Sequence, residues 1–504
     1  MTAQEAYQWL VQHSRETAHL KSIKKLLSWD QRTQIPPKGQ THRAAQLALV
    51  AGWLHDRETD PQVGERLARV EASPLAQDAA GVAAVNVREW RRDYDRVTRI
   101  PQALAVALAQ AAAEGQTVWE RTRPQNDWQT FRPYLERLVA LKREEAAALG
   151  YVREPYDALL DLYEPGETAA VLAPLFAQLR QGLLGLLDAI QGSRRRADTS
   201  LLQRHFPAAD QESFARLAAA RLGYDFAAGR LDPTAHPFSV SLGPGDARIT
   251  TRYDEDYFNT AFFGVLHEAG HALYNQGLPP EHWGTPMGES VSLGIHESQS
   301  RLWENFVGRS RGFWQFFYPL AQKRFPALQG AGLEAFHFAV NAVSPSLIRT
   351  EADEVTYNLH ILLRFELERA LIGGELQVAD LPAAWDDRVK EFLGLATPDF
   401  RQGVMQDVHW SGGHFGYFPT YTLGNLYAAQ LFARAAEELG NFPEMFSQGS
   451  FAPLLQWLRQ RIHVQAKRHG PRDLVQAATG EALDSEYLLR YLERKFAELY
   501  DLSS

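Results

Sequence analysis

Residues 264–277 read "GVLHEAGHALYNQG", which sets two histidines four apart with a glutamate beside the first. The chain has only 16 histidines. At this composition an H-E-x-x-H string arises by chance about 0.06 times, so the match is informative but not decisive alone. Its surroundings add weight. Phe258, Phe262, Val265, Ala269 and Ala272 recur at steps of four, three, four and three, one apolar stripe of a helix. His267 and His271 fall about 200° from Val265 at about 100° per residue and share the opposite face. Asp254 or Asp256 predicts the start of this helix, and Gly277 ahead of Pro279-Pro280 predicts its stop.

On that face the imidazoles lie one turn apart, close enough to hold one ion. Glu268 is offset, beside the place where an activated water would sit. The plain alternative is a helix that buries two histidines with ordinary hydrogen bonds. A catalytic zinc site needs a third protein ligand and an open position. Downstream, "GIHESQSRLWEN" (294–305) offers His296, Glu297 and Glu304, and Glu281 and Glu289 are also near. Spacing alone does not choose among them. A glutamate would give the two-histidine, one-glutamate set of catalytic rather than closed structural sites.

The rest of the composition narrows the field. The chain has 504 residues, 45% apolar and 22% charged, the profile of a soluble globular protein with a large core. Its net charge of −9 argues against a nucleic-acid or anionic-membrane surface. There is no cysteine, so any metal site must be built from His, Asp and Glu. The N-terminal stretch is charged and amphipathic without a signal-peptide core, and no run approaches the ~18 apolar residues of a membrane span. A cytoplasmic protein is expected.

Helical periodicity dominates, as in "PQALAVALAQAAAEGQTVWERT" (101–122) and "LYAAQLFARAAEELG" (426–440). Extended character is confined to Phe238–Tyr253, where "GPGD" supplies a turn and "RITTRY" alternates. This predicts a small hairpin or sheet leading into the histidine helix. The polar run "QGSRRRADTS" (191–200) is either a joint between sub-lobes or a surface loop. The expected architecture is a single, mainly α domain over 1–504.

Several separate blocks together resemble the carboxypeptidase Taq family of zinc metallocarboxypeptidases. They are "LLSWDQRTQIPP" (26–37), with Ile35 where methionine is common, "HPF" (236–238), "DARIT" (246–250), "HEAGH", "HESQ" (296–299), "IRTEAD" (348–353) and "GVMQDVHW" (403–410). The resemblance runs from near the N-terminus into the C-terminal third. It implies a multi-helix, groove-containing zinc peptidase fold similar to neurolysin, with a small β-sheet beside the active site. It implies His267, His271 and Glu297 as metal ligands and Glu268 as general base. It also implies one Zn2+ per chain, often replaceable by Co2+, peptide substrates and a homodimer.

Helical phase is in keeping with Glu297. His296 and Glu297 point about 100° apart, so both face one ion only if the backbone is distorted. Glu304 lies nearly two turns beyond Glu297, about 10 Å along the axis. Glu304 is therefore expected as a distant neighbour, with His296 turned to the cleft and free to touch substrate.

An enzyme that removes C-terminal residues must hold a free carboxylate, and an arginine fork does so better than lysine. In "LIRTEADEVTYNLHIL" an apolar stripe of Ile348, Ala352, Val355, Leu359 and Leu362 reads as one helix, with Arg349 and Asp353 four apart beside it. Arg349 is the first candidate for the carboxylate and Arg248 the second; an ordinary surface ion pair is the alternative for Arg349. His236, in the "HPF" block, is a further substrate-binding candidate. In "HWSGGHFGYFPTYTLG" (409–424), His409 and Tyr421 resemble the oxyanion donors of related helical zinc peptidases, with Tyr417 able to replace Tyr421. The expected reaction is release of single C-terminal amino acids with broad specificity. The nearest rival is an oligoendopeptidase or dipeptidyl carboxypeptidase with the same zinc site. A second rival, a zinc-stabilised scaffold, has no need of Glu268.

Overall fold

A computed structural model describes residues 1–502. Four helices open the chain: α1 (Ala3–Thr33), α2 (Gln40–Glu58), α3 (Pro61–Glu71) and α4 (Val82–Arg99). They are followed by α5 (Gln102–Thr122), α6 (Trp128–Leu149), the short α7 (Pro155–Leu160), α8 (Ala169–Gly192) and α9 (Ala208–Leu222). Three strands, β1 (Leu231–Pro233), β2 (Ser239–Gly243) and β3 (Asp246–Thr251), precede α10 (Phe258–Gly277) and α11 (Leu293–Arg301). The remainder comprises α12 (Arg311–Arg324), α13 (Leu333–Val340), α14 (Thr356–Gly373), α15 (Leu381–Leu393) and α16 (Pro419–Leu439), then α17 (Phe442–Ser447), α18 (Ala452–Arg461), α19 (Pro471–Thr479) and α20 (Glu486–Tyr500). The mainly α class and the small sheet beside the histidine helix agree with the sequence.

The hairpin forms as its turn residues dictate. β2 and β3 pair antiparallel, Val240 opposite Arg248, across the Gly243–Gly245 turn. β1 adds to the far side of β3 in parallel, giving the order β1-β3-β2. That strand has three residues, too short for any alternation to announce it. The sheet carries one end of α1, where Ser22 donates its hydroxyl to the Leu242 carbonyl and Lys25 reaches that of Ser241.

Packing divides into a large core and a small one. The large core takes the apolar faces of α8 to α16 and beyond, with Phe258, Phe262, Trp314 and Phe325 at its aromatic centre. The small one joins Ala6 and Leu10 of α1, Val63, Leu67 and Val70 of α3 and Val87 of α4. Helix α8 is long and apolar enough to cross a membrane by composition. Here one side of it, Leu172, Phe176, Leu179, Leu183 and Ile190, is buried in the large core. Beyond α8, the 191–200 run is tied to α20: the Ser193 hydroxyl donates to the Tyr500 carbonyl and Arg195 to that of Glu498.

One helix differs from expectation. α14 starts only at Thr356, and Arg349–Glu351 form a separate 3-10 turn. Asp353 explains the break, because its Oδ1 accepts from the backbone N–H groups of Val355 and Thr356 and begins the helix there. Arg349 and Asp353 are therefore not a helical i,i+4 pair.

Candidate active site

α10 presents its residues as the stripe predicts. Phe258, Phe262, Val265, Ala269 and Ala272 are all buried, and His267 and His271 project from the other side. The helix begins at Phe258, after the predicted aspartates, because Asp254 spends its side chain and carbonyl on a turn ahead of the extended Tyr257.

α11 crosses α10 at close range. A Cβ at Gly270 would stand 2.5 Å from the Gln299 carbonyl oxygen, so only glycine lets the two backbones approach. On the other side of α11, a Cβ at Gly424 of α16 would stand 2.5 Å from Cγ of Glu297. The segment bearing Glu297 is thus gripped between two glycines on two helices.

This packing brings His267, His271 and Glu297 together. Oε2 of Glu297 lies 3.6 Å from Nε2 of His267 and 3.4 Å from Nε2 of His271. All three ligand atoms fall within 4.8 Å of one another. Four-coordinate zinc with bonds of about 2.0–2.2 Å spaces its ligand atoms about 3.3–3.6 Å apart, so this donor set fits such an ion. The other ring nitrogens are also engaged. Nδ1 of His267 lies 2.9 Å from Oε2 of Glu304, and Nδ1 of His271 lies 3.0 Å from the His296 carbonyl oxygen. A hydrogen bond at each Nδ1 turns the Nε2 lone pair inward, the usual support for a metal-binding histidine.

Two expectations change here. Glu304, read as a distant neighbour of the ion, touches the outer nitrogen of His267, a candidate ligand. Seven residues past Glu297, Glu304 returns to nearly the same face of the chain, in the π turn Leu302–Val307 that follows α11, and its side chain reaches that nitrogen. Because α10 and this segment run antiparallel, Glu304 meets His267 while His296 meets His271. His296, read as free in the cleft, has Nδ1 2.5 Å from Nδ1 of His271 and its ring against Tyr274. Burial and the neighbouring His271 hold it neutral, well below the ordinary histidine pKa.

Arg301 was not anticipated, although its place four residues after Glu297 was a helical pairing signal. It donates from Nε to Oε1 of Glu297 at 2.7 Å and lies 3.3 Å from Oε2 of Glu304. Burial disfavours the Glu297 carboxylate, but Arg301 and His267 outweigh it and keep it ionised. Glu304 is held down at about 2, with Arg301 again the chief counterweight to burial. Glu268 is buried without a hydrogen bond to any described side chain, and burial raises its pKa against the opposing pull of His267 and His271. A raised carboxylate pKa beside the ligands suits a proton acceptor.

The Gly-rich segment lies alongside. Nε2 of His409 is 3.3 Å from the Tyr421 hydroxyl, and the Tyr417 ring sits 5.3 Å from both the His409 and Tyr421 rings. Burial and then Arg349 push His409 down to about 3, so it is a neutral imidazole with one N–H to give. Burial holds Tyr421 protonated, also a donor.

Arg349 is buried in a charge group unlike a surface ion pair. Its Nε and Nη2 both lie 2.9 Å from Oδ1 of Asp407, while Nε and Nη2 of Arg364 approach Oδ2 at 2.7 and 2.6 Å. Despite burial, the two guanidinium groups hold Asp407 far below the usual carboxylate range. With Asp407 on one edge, the Nη1/Nη2 edge of Arg349 has the Tyr357 hydroxyl, 3.2 Å from Nη1, as its neighbour. The guanidinium carbon lies 5.0 Å from the Tyr421 ring centre. Asp407 belongs to "GVMQDVHW", the block that also supplies His409.

Arg248 and His236 lie with the sheet. Arg248 is engaged by Asp246 at 2.8 and 2.9 Å and covers the Trp29 ring at 4.4 Å. His236 is exposed, and its carbonyl accepts from Nη2 of Arg32 at 3.2 Å. Arg32, which the sequence did not single out, lies 3.7 Å over the Phe238 ring and is within electrostatic reach of Glu268. The "WDQ", "HPF" and "DARIT" blocks are therefore one surface.

Comparison with known proteins matches this arrangement to a family. The pattern described as carboxypeptidase Taq (M32) metallopeptidase matches residues 9–496. The chain is 58% identical to thermostable carboxypeptidase 1 of Thermus thermophilus, covering 99% of this chain and 100% of the relative. It is 39% identical to carboxypeptidase 1 of Bacillus subtilis, over 96% of this chain and 97% of that one. The crystal structure of an M32 carboxypeptidase from Deinococcus radiodurans superposes with a TM-score of 0.95 at 40% identity, covering 99% of this chain and 100% of the other.

Proposed function

The chain belongs to the carboxypeptidase Taq metallopeptidase family and is a metal-dependent carboxypeptidase; from that premise we propose that it cuts peptides one residue at a time from the C-terminus, with Glu268 as general base and zinc as its metal. His267, His271 and Glu297 would hold the ion, which when bound makes a water more acidic and polarises the scissile carbonyl. Glu268 accepts the water's proton during attack and delivers it to the leaving amine. His409 and Tyr421 donate hydrogen bonds to the oxygen that becomes negative. Arg301 and Glu304 keep Glu297 and His267 aimed.

The observation that supports the exopeptidase reading is the fixed guanidinium of Arg349 beside Tyr421, aimed by Asp407 at Nε and Nη2 and by the Tyr357 hydroxyl at Nη1. A carboxylate seated there is met by a fixed fork, and the charge group it joins has two arginines to one aspartate. The peptide end then lies close to the cut. Digestion of an N-acylated tetrapeptide by the zinc-loaded protein tests this: single C-terminal residues should appear in order, whereas dipeptides or internal fragments would overturn it. A cytoplasmic homodimer acting on peptides completes the proposal, supported by family resemblance, and sedimentation of the purified protein tests the dimer.

A further inference from the structure

A row of partly exposed rings leads away from Arg349. Tyr421 is 5.0 Å from the guanidinium, Tyr417 is 5.3 Å from Tyr421, and Tyr163 is 5.1 Å from Tyr417 in an edge-to-face pair. The exposed His414 ends the row, its Nδ1 3.4 Å from the Tyr163 hydroxyl. Two distant segments build this end: Tyr163 follows α7, and His414 belongs to the glycine-rich segment before α16. The Tyr163 carbonyl also accepts from the backbone of Leu293 at the start of α11, which fixes this wall to the helix bearing Glu297.

We propose that Tyr163 and His414 form an upstream subsite that contacts the third or fourth residue from the substrate's C-terminus and favours an aromatic or apolar side chain there. The register follows from length. Three steps near 5 Å put Tyr163 at most about 15 Å from the Arg349 guanidinium, and an extended peptide advancing about 3.3–3.6 Å per residue covers that in about four residues. The preference follows from chemistry. The row offers ring faces and edges, which pair with other rings. Lys142, beneath the glycine-rich segment, is already paired with Glu145. An acidic side chain would therefore find no free charge to meet. The inference rests on Arg349 holding the terminal carboxylate.

The test uses N-acetylated peptides of two to five residues that share their last two residues and carry Phe or Gly at the third and fourth positions from the end. In the zinc-loaded parent, kcat/KM should rise when Phe occupies one of those positions. In Tyr163→Ala and His414→Ala, the ratio of kcat/KM between the five-residue Phe substrate and the two-residue one should fall about five- to tenfold, mainly through KM. His414 is exposed, so its variant tests the subsite without disturbing the core. A ratio unchanged in both variants, or an equal loss on short and long peptides, overturns the subsite. Arg349→Ala on the same series separates the two readings. If it weakens free-acid and amidated peptides alike, the anchor falls and the register falls with it; if the anchor holds while the ratio does not move, the subsite alone falls.

Discussion

Nδ1 of His267 lies 2.9 Å from Oε2 of Glu304, an acidic partner behind an imidazole proposed to hold the metal. Such partners fix ring orientation and raise ligand basicity. Glu304→Ala should therefore weaken metal binding about 10- to 100-fold, and Glu297→Ala more severely because it removes a ligand atom. His296→Ala should keep its metal, since the backbone carbonyl at 296 still meets Nδ1 of His271 once the ring is gone. Zinc titration against a competing chelator reads all three. Parent-like affinity in Glu304→Ala would show the contact to be incidental.

Glu268→Gln leaves the three ligands untouched, so it should bind zinc as the parent does. It should nevertheless lose about 10²–10⁴-fold in kcat, the usual worth of a positioned proton acceptor. Metal content and kcat measured on one preparation decide the matter. A variant that is fully loaded and nearly fully active would remove Glu268 from the reaction.

Arg349→Ala should cost about 2–4 kcal/mol of transition-state binding on free-acid peptides and far less on amidated ones, whose anchor is already missing. Asp407→Ala should act on the fold itself. It strands Arg349 and Arg364 in the interior without their shared counter-charge, which costs about 3–5 kcal/mol. Urea unfolding tests this, and a midpoint equal to the parent's would mean that water or a rearranged partner takes up both charges.

Glu164 gives a pH dependence to stability. It is fully buried and accepts hydrogen bonds from the Ser292 and Tyr427 hydroxyls and the Gly294 N–H, and burial pushes its pKa from 4.5 to about 8. The folded protein thus holds a proton that the unfolded chain releases between those values. The stabilisation is complete below pH 4.5 and is lost as pH rises towards 8. Glu368, pushed to about 7 by burial, adds a decline in the same direction. Unfolding midpoints from pH 5 to 8 should fall less steeply in Glu164→Gln than in the parent. Equal slopes would assign the decline elsewhere.

The sequence carried what depends on local periodicity. The α10 stripe, the outward histidines and the turn at Gly243–Gly245 all follow from neighbours in the chain. Glu297 needed more than spacing, and the family blocks supplied it. Spacing along one helix does not report what a neighbouring helix presents, and Glu304 and His296 meet His267 and His271 because α10 packs against their segment. Asp353 ends the helical projection that had paired it with Arg349. Asp407 lies 58 residues from Arg349, and no periodic pattern joins residues so far apart. Arg32 is near Phe238 only because α1 folds back onto the sheet.

The two glycines on either side of α11 have a mechanical consequence. Where Gly270 meets it, backbone rests on backbone, and Gly424 lies directly against the root of the Glu297 side chain, so there is little slack on either side. α10, α11 and α16 should consequently move as one rigid block, and a sliding motion within it would break the ligand set. Any breathing that admits a peptide must then be carried by other parts, and α1, α3 and α4, which have a small core of their own and meet the rest largely through hydrogen bonds such as Ser22–Leu242 and Lys25–Ser241, are the parts placed to swing. Hydrogen exchange should show amides of those helices opening on warming while the amides of α11 stay closed, so the protein would lose its grip on substrate before it lost its metal.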